Sequence, residues 1–184
     1  MSALPGGSLP EGIIVTPLQR NADDRGSLVE VFRKSWQTGI EPVQWNFVES
    51  RPNVLRGFHV HIWHTDYLVL VRGRMRLGLK DLRAGSPTAG LTTTVELDPA
   101  ASPVALTIPV GVAHGFAFRE AASLFYSVSH YWDTEDELAC RYDDPDVGID
   151  WGLAGPLLSP RDQSAGTLAE MTAEYVRKSA LPRS

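Results

Sequence analysis

The chain has 184 residues, 43% of them hydrophobic and 21% charged, with a formal net charge of −5. That is the balance of one globular domain of about 100 to 200 residues; it excludes wholesale disorder and gives no basic face for nucleic-acid phosphates. Cys140 is the sole cysteine, which excludes an internal disulfide and a cysteine-rich zinc site and points to a reducing, cytoplasmic setting.

Met1 to Pro10 lack the basic start and long apolar core of a signal peptide. Pro5, Gly6, Gly7 and Pro10 offer turns without a periodic apolar face, so residues 1–12 are expected to form a flexible arm. Ile13-Ile14-Val15 is the first strand candidate. Asp23-Asp24-Arg25-Gly26 reads as a turn before residues 27–32, whose alternation suggests a half-buried strand. Further strands are predicted over 43–48, 54–61, 66–71, 74–82, 91–97, 104–109, 113–118 and 122–131, separated by turn residues such as Arg72-Gly73, Gly85-Ser86-Pro87 and Val110-Gly111. Arg72, Arg74, Arg76 and Lys80 read as a solvated strand face. Many short strands with little helix between them indicate an all-β sandwich or barrel over residues 13–163.

Residues 164–184 form a separate tail. Thr167, with Glu170 three residues later, predicts a capping box opening a short helix to about Lys178, with Leu168, Met171, Tyr175 and Val176 as its buried stripe. No apolar run approaches the roughly 20 residues needed to cross a bilayer.

The chemistry concentrates in two segments. His59 and His61 are two apart on one strand and so share a face. Asp66 enters an otherwise apolar strand, where a carboxylate is costly to bury unless paired, coordinated or at an open end. His114 follows the turn Pro109-Val110-Gly111. Converging imidazoles and a carboxylate either hold a divalent metal or pass a proton to and from a substrate, and the residues alone leave both open. The pattern His59-x-His61-x4-Asp66-x6-Gly73 resembles the first cupin motif, and Pro109-x-Gly111-x-x-His114 resembles the second.

A longer resemblance spans residues 23–163. Asp24-Arg25-Gly26, Gln44-x-Asn46, Arg56-Gly57-Phe58-His59, Asp81-Leu82-Arg83, Ala113-His114-Gly115-Phe116 and Gly148-Ile149-Asp150-Trp151 together are similar to the dTDP-4-keto-6-deoxyhexose 3,5-epimerase family. The resemblance implies a dimeric cupin-type jelly roll, a double-stranded β-helix. It also implies metal-free proton transfer beside a sugar ketone. By the same resemblance His59 is the base, Asp162 orients it and Tyr126 is the acid, while Arg25, Gln44, Asn46, Arg56, His114, Tyr131 and Trp132 bind substrate.

Two positions depart from that family, in which the base histidine is commonly followed by Tyr-Gln and a lysine stands seven residues before the glycine. Here Val60-His61 and Asp66 occupy those places, and a carboxylate repels an enolate oxygen that the lysine would hold. Together His59, His61, Asp66 and His114 complete the ligand set of a metal-binding cupin for Zn²⁺, Fe²⁺, Mn²⁺ or Ni²⁺. Metal ligation would remove His59 as a free base. His64 is expected to face water, and His130 receives no role. Three functions are thus in view: an epimerase of a nucleotide-linked keto-sugar, a metal-dependent cupin enzyme acting on another small polar substrate as isomerase or oxygenase, and a sugar-binding homologue without turnover. A homodimer is expected by resemblance alone.

Overall fold

The computed structural model describes residues 7–181. An N-terminal strand β1 (Ile14–Pro17) and a small hairpin of β2 (Arg20–Asp23) and β3 (Gly26–Val29) come first. Then follow β4 (Gln44–Ser50), β5 (Val54–His61), β6 (Asp66–Arg72), β7 (Met75–Asp81), β8 (Thr92–Leu97), β9 (Val104–Ile108), β10 (Val112–Phe118) and β11 (Ala122–Val128). These pair in a nested, antiparallel way: β4 with β11, β5 with β10, β6 with β9, β7 with β8. Apart from the β7–β8 hairpin at its end, successive strands of this long ribbon therefore alternate between two sheets. Their orders are β1-β9-β6-β11-β4 and, with the short β12 (Glu137–Ala139), β12-β5-β10-β7-β8. The result is the all-β jelly roll expected from the sequence.

The alternation of side chains on β6 shows how the layers are specified. Leu68 and Leu70 point inward and meet Leu77, Leu79, Leu106 and Leu124 from both sheets. Tyr67 and Val69 point outward and are covered by Leu18, Val29, Phe32 and Trp36, so residues 18–40 roof part of the first sheet. A strand buried on both faces reads as a continuous apolar run, as this one does. Each fully buried leucine contributes roughly 1.5–3 kcal/mol.

The outer face of the second sheet is covered by the C-terminal segment. Leu55, Phe58, Val60 and Ala117 pack against Val147, Trp151 and α2 (Leu168–Ser179). Trp151 fits because Gly78 and Gly115 lie beneath it; a Cβ at either would come within 2.6 or 2.9 Å of the indole. The predicted capping box of Thr167 and Glu170 is present. Leu168, Met171 and Tyr175 are buried, but Val176, expected on the same stripe, is 53% exposed. It follows Tyr175 by one residue, about 100° around the helix, and so turns off the packed face.

Other differences have local causes. The strand predicted over 122–131 ends at Val128, with one further backbone bond from Ser129 to the Thr65 carbonyl at 3.1 Å. β2 and β12 escaped prediction because one is wholly exposed and the other only three residues long. Of the expected arm, residues 1–6 lie outside the described residues. Leu9 packs against the core, and the Glu11 backbone bonds to Thr88 at 2.8 Å and to Arg83 at 2.6 Å. Arg74 stays solvated, but the Arg76 side chain, expected on the same solvated face, is only 20% exposed: it pairs with Glu96 across the β7–β8 ladder and donates to the Asp150 carbonyl of the covering segment at 2.7 Å. No helix among the described residues is long and apolar enough to cross a membrane.

Asp81 closes β7. Its buried carboxylate accepts from the backbone and guanidinium of Arg83 and the hydroxyls of Ser86 and Thr88, at 2.6–3.1 Å. Burial alone would raise its pKa, yet these bonds outweigh burial and hold it below the ordinary carboxylate range. A carboxylate with a depressed native pKa stabilises the fold above its unfolded value of about 3.9, and that contribution is lost as pH falls towards the native value. Asp81→Asn is expected to cost about 1.5–3 kcal/mol in urea unfolding at pH 7. The gap from the parent protein should narrow as the pH is taken below about 3.9.

Candidate active site

Strand β5 carries a bulge that aims the site. Arg56 and His59 lie opposite Phe116 and His114, so three steps on β5 match two on β10. Gly57 absorbs the extra residue with φ +123°, a conformation open to glycine, and a Cβ there would lie 2.7 Å from Gly115 Cα. Arg56, His59 and His61 consequently all line the space between the sheets. Phe58 and Val60 go to the opposite layer, Phe58 edge-on to Trp151.

That space is a cavity of about 510 Å³. One wall comes from β5 and β10, the other from β6 and β11, and the rim from residues following β11. Ser159 caps α1 (Pro160–Gln163) by accepting from the Asp162 amide at 3.1 Å. This one-turn helix sets the Asp162 carboxylate 2.6 Å from His59 Nε2. With Nε2–H donated to Asp162, Nδ1 carries the ring's lone pair. Burial pushes the Asp162 carboxyl up, but the bonds from His59, Ser159 and the Gly57 amide prevail and leave its pKa below the usual value.

Tyr126 enters from β11 of the other sheet and lines the same cavity. Burial raises its pKa, and the negative charges of Asp66 and Glu137 raise it further, so the phenol keeps its proton. A base–carboxylate pair on one wall thus faces a protonated phenol on the other. Such a pair can take a proton from one face of a bound molecule and return one to the opposite face.

Next to His59 lies a second cluster. His61 Nε2 is 3.3 Å and His114 Nε2 3.6 Å from Asp66 Oδ2, and His64 Nε2 is 3.6 Å from Asp66 Oδ1. All four side chains are buried. The donors that could jointly hold a metal are His61, His64 and Asp66, with His114 beside them. His59, expected in the ligand set, is not among the donors that converge with Asp66; its Nε2 lies on Asp162 instead. His64, expected to face water, is 1% exposed because Asp136 receives its Nδ1–H deep in the fold. Its pKa is raised to about 9: burial opposes the rise, and the hydrogen bond to Asp136 together with the nearby Asp66 carboxylate carries it. Burial takes the pKa of His61 well down, helped by neighbouring histidines; it also lowers that of His114, against the pull of Asp66.

Arg56, His114 and Trp132 line the cavity, as expected of substrate-binding residues. Arg25 does not: it sits at the tip of the β2–β3 hairpin with its guanidinium on Asp23. Tyr131, 75% exposed, also lies off the cavity wall, since the strand ends before it. Gln44 and Asn46 form a supporting pair instead. Gln44 Nε2 donates to Asn46 Oδ1 at 3.0 Å, and Gln44 Oε1 accepts from the Trp132 amide at 3.1 Å.

The sequence reading missed Glu137, Arg161 and Asp136. Glu137 lies between the histidines, 3.7 Å from His59 Nδ1 and 4.0 Å from His61 Nδ1, and is ion-paired with Arg161. It ends the acidic run Asp133 to Glu137, where no spacing ties it to the histidines. The available signal was the spacing of His59, His61 and His64 before Asp66, three histidines within six residues.

The family model described as dTDP-4-dehydrorhamnose 3,5-epimerase matches residues 8–170. This chain belongs to that family. It is 38% identical over 165 residues to the dTDP-4-dehydrorhamnose 3-epimerase of Streptomyces niveus, covering 85% of the chain and 79% of that protein. It is 36% identical over 178 residues to the 3,5-epimerase of Neisseria gonorrhoeae, covering 92% of the chain but only 54% of that longer protein. The chain thus spans about half the length of the Neisseria relative. Among solved structures, the dTDP-6-deoxy-D-glucose-3,5-epimerase of Legionella pneumophila, in complex with dTDP-4-keto-L-rhamnose, aligns with a TM-score of 0.80 at 30% identity. That alignment covers 94% of this chain and 93% of that one. The isomerase class expected from the sequence is the class these epimerase names carry.

Placing alanine at Gly57 would press the β5 bulge against β10 and disturb the His59–Asp162 contact. Gly57→Ala is expected to lose about 1–3 kcal/mol of stability. Urea unfolding measures it, and the His59 ring resonances in NMR should shift in the same variant.

Proposed function

We propose that the chain is an epimerase of a nucleotide-linked 4-keto-6-deoxyhexose, inverting a carbon next to the ketone by proton transfer. The observation that carries this reading is the His59–Asp162 pair facing Tyr126 across the cavity. His59 Nδ1 removes the proton on the carbon next to the ketone. The ketone becomes an enolate, and the Tyr126 hydroxyl protonates the same carbon from the other face. Asp162 fixes the tautomer and steadies the imidazolium that forms. A cavity of this volume is within the range of small-molecule sites. Arg56, His114 and Trp132 are the groups placed to hold sugar and nucleotide. A cytoplasmic location accompanies the reading, since the single cysteine is a buried thiol.

Incubation with a dTDP-4-keto-6-deoxyhexose in deuterated water tests it directly. Deuterium is expected at C3, C5 or both, and none at either position would sink the proposal. His59→Asn should lower the exchange rate about 10²–10⁴-fold. Tyr126→Phe should slow formation of the inverted product more than it slows washout of the original proton, because the first step belongs to His59.

The reading includes a homodimer. Residues 18–40 roof only part of the first sheet, and Val43, just before its edge strand β4, with Trp45 and Phe47 on that strand, are 42–55% exposed. A second copy over this face would cover both an apolar patch and a sheet edge. Light scattering on the eluting protein should give twice the chain mass, and Phe47→Glu should return it to the monomer.

A further inference from the structure

The proton-transfer reading leaves the His61, His64, Asp66 and His114 cluster unused. Asp136 accepts the Nδ1–H of His64 and also the amides of Ile62 and Trp63, at 2.8 and 2.6 Å. His114 Nδ1 donates to the Val112 carbonyl at 3.1 Å. Both rings therefore hold a proton on Nδ1 and turn Nε2 inward; at His114 that nitrogen carries a lone pair, and at His64 it offers one when its second proton gives way to a cation. Both Nε2 atoms meet the Asp66 carboxylate, 3.6 Å from each. Asp66 Oδ2 is fully buried and has no hydrogen-bond partner among the described residues, and the same holds for His61 Nδ1.

Lone pairs converging on a buried carboxylate are unfavourable without positive charge among them. A proton on His64 Nε2 would face Asp66 across 3.6 Å, longer than a hydrogen bond. A four-coordinate cation with bonds near 2.1 Å sets its donors about 3.4 Å apart, and the three gaps to Asp66 span 3.3–3.6 Å.

We propose that His61, His64 and Asp66, completed by His114, bind one divalent first-row transition cation on the cavity wall beside the His59–Asp162 pair. Imidazoles with one carboxylate suit Zn²⁺, Fe²⁺, Ni²⁺ or Co²⁺. The Asp136–His64 contact is the kind of outer carboxylate that fixes a ligating histidine's tautomer and direction. The His61 and His64 rings stack 3.8 Å apart at 29°, so one must swing to chelate. His61 is the freer, with no hydrogen bond holding its Nδ1. The set excludes His59, so metal binding and a free base are compatible here. A cation at this place would polarise a carbonyl oxygen in the cavity. Its binding does not depend on the epimerase reading, and the two fail separately because deuterium exchange and metal occupancy are read independently.

The test uses the full chain, stripped with EDTA and titrated with Co²⁺ by visible absorption and with Zn²⁺ by calorimetry, followed by metal analysis after gel filtration. About one equivalent of retained Zn²⁺ and the strong visible bands of four-coordinate Co²⁺ are expected. Asp66→Asn should abolish both, and Asp136→Asn should weaken affinity about 10–100-fold. His59→Asn should leave metal binding unchanged. Should Asp66→Asn fail to fold by circular dichroism, His61→Gln reads the same loss. Retention below about a tenth of an equivalent overturns the site and leaves a proton on His64 as what holds the cluster. Loss of binding in His59→Asn overturns this ligand set.

Discussion

The pairing of β5 with β10 through a one-residue bulge is the constraint on which the remaining structure depends. A regular strand would send Arg56 and His59 to opposite faces. The bulge at Gly57 puts both on the cavity side and frees Phe58 to seal the outer layer against Trp151. That seal depends in turn on the missing side chains of Gly78 and Gly115. The inner chemistry and the outer packing are thus two faces of one backbone irregularity.

Electrostatics divides the cavity wall into two groups. In one, Asp162 is held ionised against His59 by hydrogen bonds that overcome its burial. In the other, burial keeps His61 and His114 neutral while two carboxylates press a proton onto His64. Val60 separates the groups along β5, and its side chain belongs to the other layer. Residues 61 and 66 can therefore differ from the family's pattern without disturbing the core that Val60 and Phe58 build.

An all-β sandwich or barrel was legible because strands buried on both faces read as apolar runs punctuated by turns, as Tyr67 to Val71 before Gly73 shows, and the jelly-roll topology came from the family resemblance. The shared face of His59 and His61 follows from strand periodicity alone. The contribution of Arg56 to that face does not, because a bulge breaks the period and a lone glycine gives little warning of one. Asp162 became a candidate only through family resemblance. Nothing in Ser159-Pro160-Arg161-Asp162 indicates that a single helical turn will deliver it to a histidine over a hundred residues earlier. His64 and Glu137 stayed hidden because each is buried by a partner distant in sequence, Asp136 for the first and Arg161 for the second. Arg25, Tyr131, Gln44 and Asn46 lie off the cavity wall in the single chain, where local hydrogen bonds or exposure claim them.

Trp132 joins the two sheets at their open side. Its amide is held by Gln44 on β4, the edge of one sheet, and its indole Nε1 donates at 3.0 Å to Glu137 on β12, the edge of the other. The residue is a cross-brace over the seam through which the cavity communicates with solvent. Parting the two edges would break one of these two bonds, and Glu137 lies within 4.0 Å of both His59 and His61. One residue at the entrance therefore touches both the edge of the first sheet and the carboxylate beside the two histidines.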